Sequence, residues 1–278
     1  MILKTENLAR FYGDEQVLKD INMELSKGEI LGIVGESGSG KSTLGRALSL
    51  FEKPDKGMVF YNGKDISLFN NNEKKEYRRN CQMILQDSLS SLDPTMTIGN
   101  SLLEVLKYNS NLNEDEATKK INELLKKVSL KEELLNKKPM ELSGGERQRI
   151  NVLRALLIEP SILICDEITS SLDVLTRVNL LKLLKQLKDE MNLTVIFISH
   201  DINLVKNISD RILVMNGGEI REELKREDGF TYSDPYTEKL FKSLPINHPS
   251  KRQNMARHLN EQLFNPDGKN TKHFYKGE

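Results

Sequence analysis

The sequence has 278 residues, with 41 basic and 41 acidic side chains, 37% hydrophobic residues and two cysteines. That length allows one large domain or two modest ones around a buried core, and the even charge gives no electrostatic case for nucleic acid as the partner. Cys81 and Cys165 offer no metal-site spacing, and no apolar run nears the ~20 residues that span a bilayer.

Residues Met1 to Glu6 lack the apolar core of a signal peptide. The expectation is a soluble chain in a reducing, cytoplasmic compartment, meeting a membrane only through a partner. The first segment mixes short β-like runs with turns at Tyr12-Gly13-Asp14 and Ser26-Lys27-Gly28. The apolar run Ile30 to Val34 predicts a buried strand, and Leu44 to Leu48 predicts a helix. Val59 to Tyr61 reads as a strand entering the turn Asn62-Gly63, Glu73 to Arg79 is helix-prone, and Gln82 to Leu85 predicts a strand ending at Gln86.

From about Ile98 to Leu157 the pattern is helical, with Ile121, Leu124, Leu125 and Val128 on one face. The basic pairs Lys119-Lys120, Lys126-Lys127 and Lys137-Lys138 read as solvated helix faces. The continuously apolar Ile162 to Cys165 predicts a parallel strand covered on both sides. A helix from Val178 to Glu190 and a strand from Thr194 to Ile198 follow, and Arg211 to Arg221, turning at Asn216-Gly217-Gly218, predicts a closing hairpin. From about Thr231 the character changes, with Asp234-Pro235, His248-Pro249 and Asn265-Pro266 ahead of a polar end expected to be loose. His248, His258 and His273 are read as ordinary polar residues.

Between the first buried strand and its helix lies Gly35-Glu36-Ser37-Gly38-Ser39-Gly40-Lys41-Ser42-Thr43, which reads as a phosphate-binding loop. Its glycines let backbone N–H groups wrap a triphosphate where a helix begins, Lys41 reaches the β- and γ-phosphates, and Ser42 holds Mg²⁺. The strand ending at Cys165 is followed by Asp166, placed to hold Mg²⁺, and by Glu167, placed to polarise a water attacking the γ-phosphate. Ser143-Gly144-Gly145-Glu146 opens a further helix; by itself it reads better as an ordinary capping box than as a second anion site, and the glycine loop at Gly35 shifts the reading to the anion site.

Taken in order, these segments resemble one family, the ATP-binding-cassette (ABC) ATPases. Leu142 to Glu146 resembles their signature motif, Ser170-Ser171-Leu172-Asp173 their D-loop, and Ser199-His200-Asp201 their switch histidine. The intervals from Lys41 to Gln86 and from Ser143 to Asp166 are similar to the family's. The resemblance covers about residues 2 to 225 and implies an α/β fold: a P-loop ATPase with a RecA-like parallel-sheet core, an N-terminal antiparallel β subdomain and a helical signature subdomain. It implies an ATPase domain over 1–230, with the helical part at about 95–157, and a C-terminal extension over 231–278. It also implies that two domains pair head to tail, so that ATP on Lys41 of one meets Ser143, Gly144 and Gly145 of the other. Glu167 is then the general base, His200 contacts the γ-phosphate, Gln86 senses Mg²⁺ and water, Asp173 communicates across the interface and Tyr12 stacks on adenine. Glu146 stands where Gln is commoner, and its carboxylate is expected to have a mild effect on nucleotide binding.

Gln86 to Pro94, followed by Met96-Thr97-Ile98-Gly99, resembles the extended Gln-loop of ATPases serving peptide and nickel importers. Asp234-Pro235-Tyr236-Thr237, with Leu240, Leu244 and Pro245 after it, resembles their segment following the core. The run Ile164 to Ser170 leans slightly toward a metal or metallophore cargo, and with no cysteine after Cys165 the iron–sulfur cluster of some peptide-type members is not expected. The resemblance implies a peripheral subunit on the cytoplasmic face of the cell membrane. Its partners are two transmembrane permease subunits, a related second ATPase and, indirectly, an extracytoplasmic substrate-binding protein, with no nucleic acid. The competing readings are an ABC ATPase acting on nucleic acid or ribosomes, an ABC exporter ATPase, and a clamp that binds ATP without hydrolysing it.

Overall fold

Two sheets organise the chain in a computed structural model that describes residues 1–86 and 91–243. Residues 87–90 of the extended Gln-loop, together with Leu244, Pro245 and the histidines at 248, 258 and 273, lie outside that range. The first sheet is antiparallel, built from β1 (Leu3–Tyr12), β2 (Glu15–Leu25), β4 (Lys56–Tyr61) and β5 (Lys64–Asp65) in the order β2-β1-β4-β5. The sequence shows only short β-like runs here. The strands are nevertheless 10 and 11 residues long in β1 and β2, with register shifts along their pairing that the eye reads as breaks in alternation.

The second sheet holds β3 (Ile30–Val34), β6 (Cys81–Ile84), β7 (Ile162–Asp166), β8 (Thr194–Ile198), β9 (Arg211–Asn216) and β10 (Glu219–Lys225). Its order is β10-β9-β3-β8-β7-β6, parallel except for the β9–β10 hairpin. Every residue of β3, β7 and β8 is buried, as parallel strands covered on both faces require. The helices are α1 (Lys41–Leu48), α2 (Asn71–Asn80), α3 (Ile98–Asn109), α4 (Glu114–Lys127), α5 (Gly144–Leu156), α6 (Val174–Met191), α7 (Ile202–Ile208) and α8 (Pro235–Lys242). Together these give the expected α/β architecture: an antiparallel β layer, a parallel-sheet core, and a helical segment from α3 to α5.

Local sequence explains where these helices start. Asn70, Asn113 and Ser143 each accept from a backbone N–H of the first turn, while Glu73, Glu116 and Glu146 bond back to the capping residue. On α4 the predicted face is buried at Ile121, Leu124 and Leu125, with Val128 buried at its C-cap. Lys119, Lys126, Lys137 and Lys138 are exposed, and Lys120 and Lys127 pair with Glu159 and Glu190. Among the described residues no helix is long and apolar enough to cross a membrane.

Gly32 marks the closest approach of a helix to the core strand. A Cβ there would lie 2.2 Å from Val205 Cγ1 and 2.5 Å from Ser209 Oγ, on and just past α7. Gly32→Ala is therefore expected to overpack this contact and lower unfolding stability by about 1–3 kcal/mol. A urea midpoint equal to that of the unmodified chain would show that α7 yields freely.

Candidate functional site

Four segments converge at the C-terminal ends of neighbouring parallel strands, the edge where open α/β sheets bind ligands. They are the glycine loop after β3, Gln86 after β6, Asp166-Glu167 at the end of β7, and His200 after β8. Ser37, Gly38, Gly40, Lys41, Ser42, Thr43, Gln86, Glu167 and His200 line a shared cleft of about 310 Å³, which Val17 closes from β2.

The loop is tight because its glycines remove atoms from crowded places. Gly40 caps α1 at φ 95°, a left-handed conformation, and a Cβ there would lie 2.8 Å from the Val17 carbonyl oxygen. A Cβ on Gly35 would lie 2.1 Å from the Met215 carbonyl oxygen. Ser39 accepts at its carbonyl from Gly218 N–H (3.2 Å), which ties the loop to the β9–β10 turn.

Lys41 is 6% exposed, and its ammonium donates to Gly35 O (2.9 Å), Glu36 O (2.7 Å) and Ser39 Oγ (3.3 Å). Burial pulls its pKa down, while the nearby Glu167 and Asp166 carboxylates oppose that shift. Ser42 Oγ donates to Asp166 Oδ1 at 2.9 Å. Asp166 is 3% exposed, and burial raises its pKa; the Ser42 hydroxyl offsets this and the adjacent Glu167 adds to it.

Glu167 is a non-glycine residue at φ 50°, uncommon backbone of the kind that strain concentrates at functional sites. That conformation turns its carboxylate out of the strand line to His200. Glu167 Oε1 accepts from His200 N–H (2.9 Å), and His200 Nδ1 lies 2.9 Å from Oε2. The Glu167 side chain is 12% exposed and the His200 side chain 64%, so one partner is anchored and the other faces outward.

Tyr12 does not line the cleft. It ends β1 and is 42% exposed, with the Arg10 guanidinium 5.0 Å from the ring centroid and its hydroxyl donating to Glu52 Oε2 at 2.5 Å. Glu52 is consequently held below the usual carboxylate range, chiefly by that hydroxyl. Ser143, Gly144, Gly145 and Asp173 come together elsewhere, on a second concavity of about 560 Å³ lined by none of the residues that line the first. There the start of α5 meets the start of α6, close enough that a Cβ on Gly145 would lie 2.6 Å from Thr176 Cγ2. Sequence reasoning misses Val17, which lines the first cleft, and the contact of Tyr236 with the glycine loop, where its hydroxyl accepts from Glu36 N–H at 3.3 Å. Tyr236 stands in a recognisable segment, but no local pattern reveals that it folds back on the loop.

The family model described as ABC transporter matches residues 18–170. The chain is 43% identical over 258 residues to the oligopeptide transport ATP-binding protein OppF of Haemophilus influenzae, covering 90% of this chain and 77% of that protein. It is 39% identical over 239 residues to the oligopeptide transport ATP-binding protein AppF of Bacillus subtilis, covering 85% and 73%. Among solved structures, the dimeric bacterial ABC transporter cassette MJ0796 superposes with TM-score 0.72 at 32% identity, over 81% of this chain and 98% of that one. The cbiO1 component of the cbiONQ ABC transporter complex from Clostridium perfringens gives 0.76 at 28% identity, over 92% and 98%. The chain belongs to the ABC transporter family, as one of its ATP-hydrolysing cassettes.

Proposed function

We propose that this chain powers a peptide importer by ATP-driven pairing with a second, related ATPase, working from the cytoplasmic face of the membrane against two permease subunits. The observation that carries the cargo class is the 43% identity, over nine-tenths of the chain, to a protein named for oligopeptide transport. Similar names along the relatives favour peptides over the nickel or metallophore cargo that the run Ile164 to Ser170 suggests. The extracytoplasmic binding protein would select the peptide, so cargo chemistry leaves little trace here.

The separation of the two concavities supports head-to-tail pairing. The phosphate loop lies on one and the Ser143-Gly144-Gly145 helix start on the other, so one chain supplies two unlike halves. A nucleotide on Lys41 would meet Ser143, Gly144, Gly145 and Asp173 of a second cassette. Such a γ-phosphate bridge disappears on hydrolysis, which converts chemistry into opening and closing. The loop N–H groups from Ser37 to Thr43 and the Lys41 ammonium would hold the phosphates. Adenine would stack on the exposed part of the Tyr12 ring. Glu167, which holds His200, would accept a proton from water, and His200 would contact the γ-phosphate.

The Ser42 hydroxyl and the buried Asp166 carboxylate form an oxygen-only pair that suits Mg²⁺, a cation usually held by one or two side chains plus substrate phosphates. Those two residues, with Gln86 at the cleft wall, would hold it, and its charge would offset that of the phosphates when bound.

Glu146 has a role in the cap of α5. Its carboxylate accepts from both the N–H and the hydroxyl of Ser143, each at 2.8 Å, and those bonds lower its pKa. Glu146→Gln keeps an acceptor in the cap and removes one negative charge, so ATPase turnover is expected to change by less than about tenfold. A larger rise would mean that the carboxylate opposes the nucleotide directly.

Affinity capture of the tagged full chain from gently solubilised membranes tests the proposal. Two permeases and a second ATPase, with uptake of peptides by the reconstituted assembly, are expected. Recovery with ribosomes or nucleic acid alone would overturn the transport reading and leave the ATPase intact.

A further inference from the structure

We infer that Tyr236, on the helix following the catalytic core, is a positioning residue for the phosphate-binding lysine, acting through the Gly35–Glu36 peptide group. This inference rests on the reading of Lys41 as the residue that holds the nucleotide phosphates.

One peptide group is held from both ends. Its carbonyl, Gly35 O, accepts from Lys41 Nζ at 2.9 Å, and its N–H, on Glu36, donates to the Tyr236 hydroxyl at 3.3 Å. Rotation of that peptide plane would carry the carbonyl away from the ammonium and the N–H away from the phenol together. Hydrogen bonds at the two ends of one amide also polarise each other, making Gly35 O a better acceptor for a buried cation. Gly35 cannot resist rotation by its own side chain, and a Cβ there would strike the Met215 carbonyl. The outside brace is therefore the one the loop can use.

Tyr236 is rigidly presented. Asp234 Oδ1 accepts from the N–H groups of Tyr236 (2.8 Å) and Thr237 (3.1 Å), capping α8, whose first position is Pro235. Asp234 is in turn paired with Arg221 of β10 at 3.4 Å, and Glu222 of β10 accepts from Ser233 N–H (2.6 Å) and Ser233 Oγ (3.0 Å). Thr237 is fully buried in this junction. The chain past the core is thus anchored to the edge strand and returns one hydroxyl to the phosphate loop. This gives the Asp234-Pro235-Tyr236-Thr237 segment a use in the reaction of the same chain.

Tyr236→Phe keeps the ring and deletes only the acceptor. In the full-length chain, titrated with a fluorescent methylanthraniloyl ATP analogue and Mg²⁺, its dissociation constant is expected to rise about three- to tenfold, the range one hydrogen bond commands. The melting temperature without nucleotide should stay unchanged, and amide exchange at Glu36 should quicken. Lys41→Ala is measured beside it. Loss of binding in Lys41→Ala with unchanged or tighter binding in Tyr236→Phe would overturn the positioning role alone. Retained binding in Lys41→Ala would overturn the underlying reading of the loop, and the role of Tyr236 with it.

Discussion

Glu167→Gln is expected to lower ATP turnover by about 100-fold or more while leaving ATP affinity within a few-fold. The substitution keeps the shape of the side chain and an oxygen that can still accept from His200 N–H, the bond that fixes the strand tip at 2.9 Å. What it removes is the capacity to take a proton. The loop N–H groups and the Lys41 ammonium proposed to hold the phosphates are untouched, so binding should persist and the loss should fall on the chemical step. With hydrolysis blocked, ATP should stabilise the pair of cassettes instead of cycling it. Light scattering on the mixed ATPase subunits would then show ATP-dependent dimers that outlast those of the unmodified chain. Ordinary turnover in this variant would remove Glu167 from the mechanism and leave its left-handed backbone at φ 50° without a functional account.

Lys41→Ala is expected to weaken ATP binding by about 100-fold, equivalent to about 2.8 kcal/mol. Hydrogen bonds to a charged group are worth roughly 1.5–3 kcal/mol each, and Lys41 is 6% exposed, where solvent screening is weak. The same burial lowers its pKa, because removing the ammonium from water disfavours its charged form. Bonds to Gly35 O, Glu36 O and Ser39 Oγ offset that cost in the free loop, and phosphate oxygens would do so more strongly. The fold itself should survive, because α1 is anchored by buried Leu44, Ala47 and Leu48. Affinity within threefold of the unmodified chain, measured by calorimetry with Mg²⁺-ATP, would transfer the phosphate-binding role to the backbone alone.

Much of the architecture is legible in linear order because it depends on local rules. The runs at Ile30–Val34, Ile162–Asp166 and Thr194–Ile198 are continuously apolar, so their burial in a parallel sheet follows from composition. The glycine loop is legible because all its parts are contiguous, and the α5 cap because Ser143 and Glu146 are three residues apart. The long antiparallel strands β1 and β2 are harder to read, since bulges interrupt the alternation that marks a strand. Helix α7 escapes because seven residues carry too few turns to establish a period.

By itself the sequence determined the α/β class and the family, and it pointed to the candidate residues proposed to carry the chemistry, since each lies in a short segment whose residue types limit what it can do. Only the tertiary structure decided who touches whom. The strand order β3-β8-β7-β6 runs against chain order, and it brings Ser42 to Asp166 across 124 positions and His200 to Glu167 across 33. It likewise returns Tyr236 to Glu36 across 200 positions and sets Ser143 on a different concavity from Lys41. The physical reason is that strand neighbours are chosen by burial of whole apolar faces and by the handedness of crossovers, properties of the assembled sheet that no single segment contains.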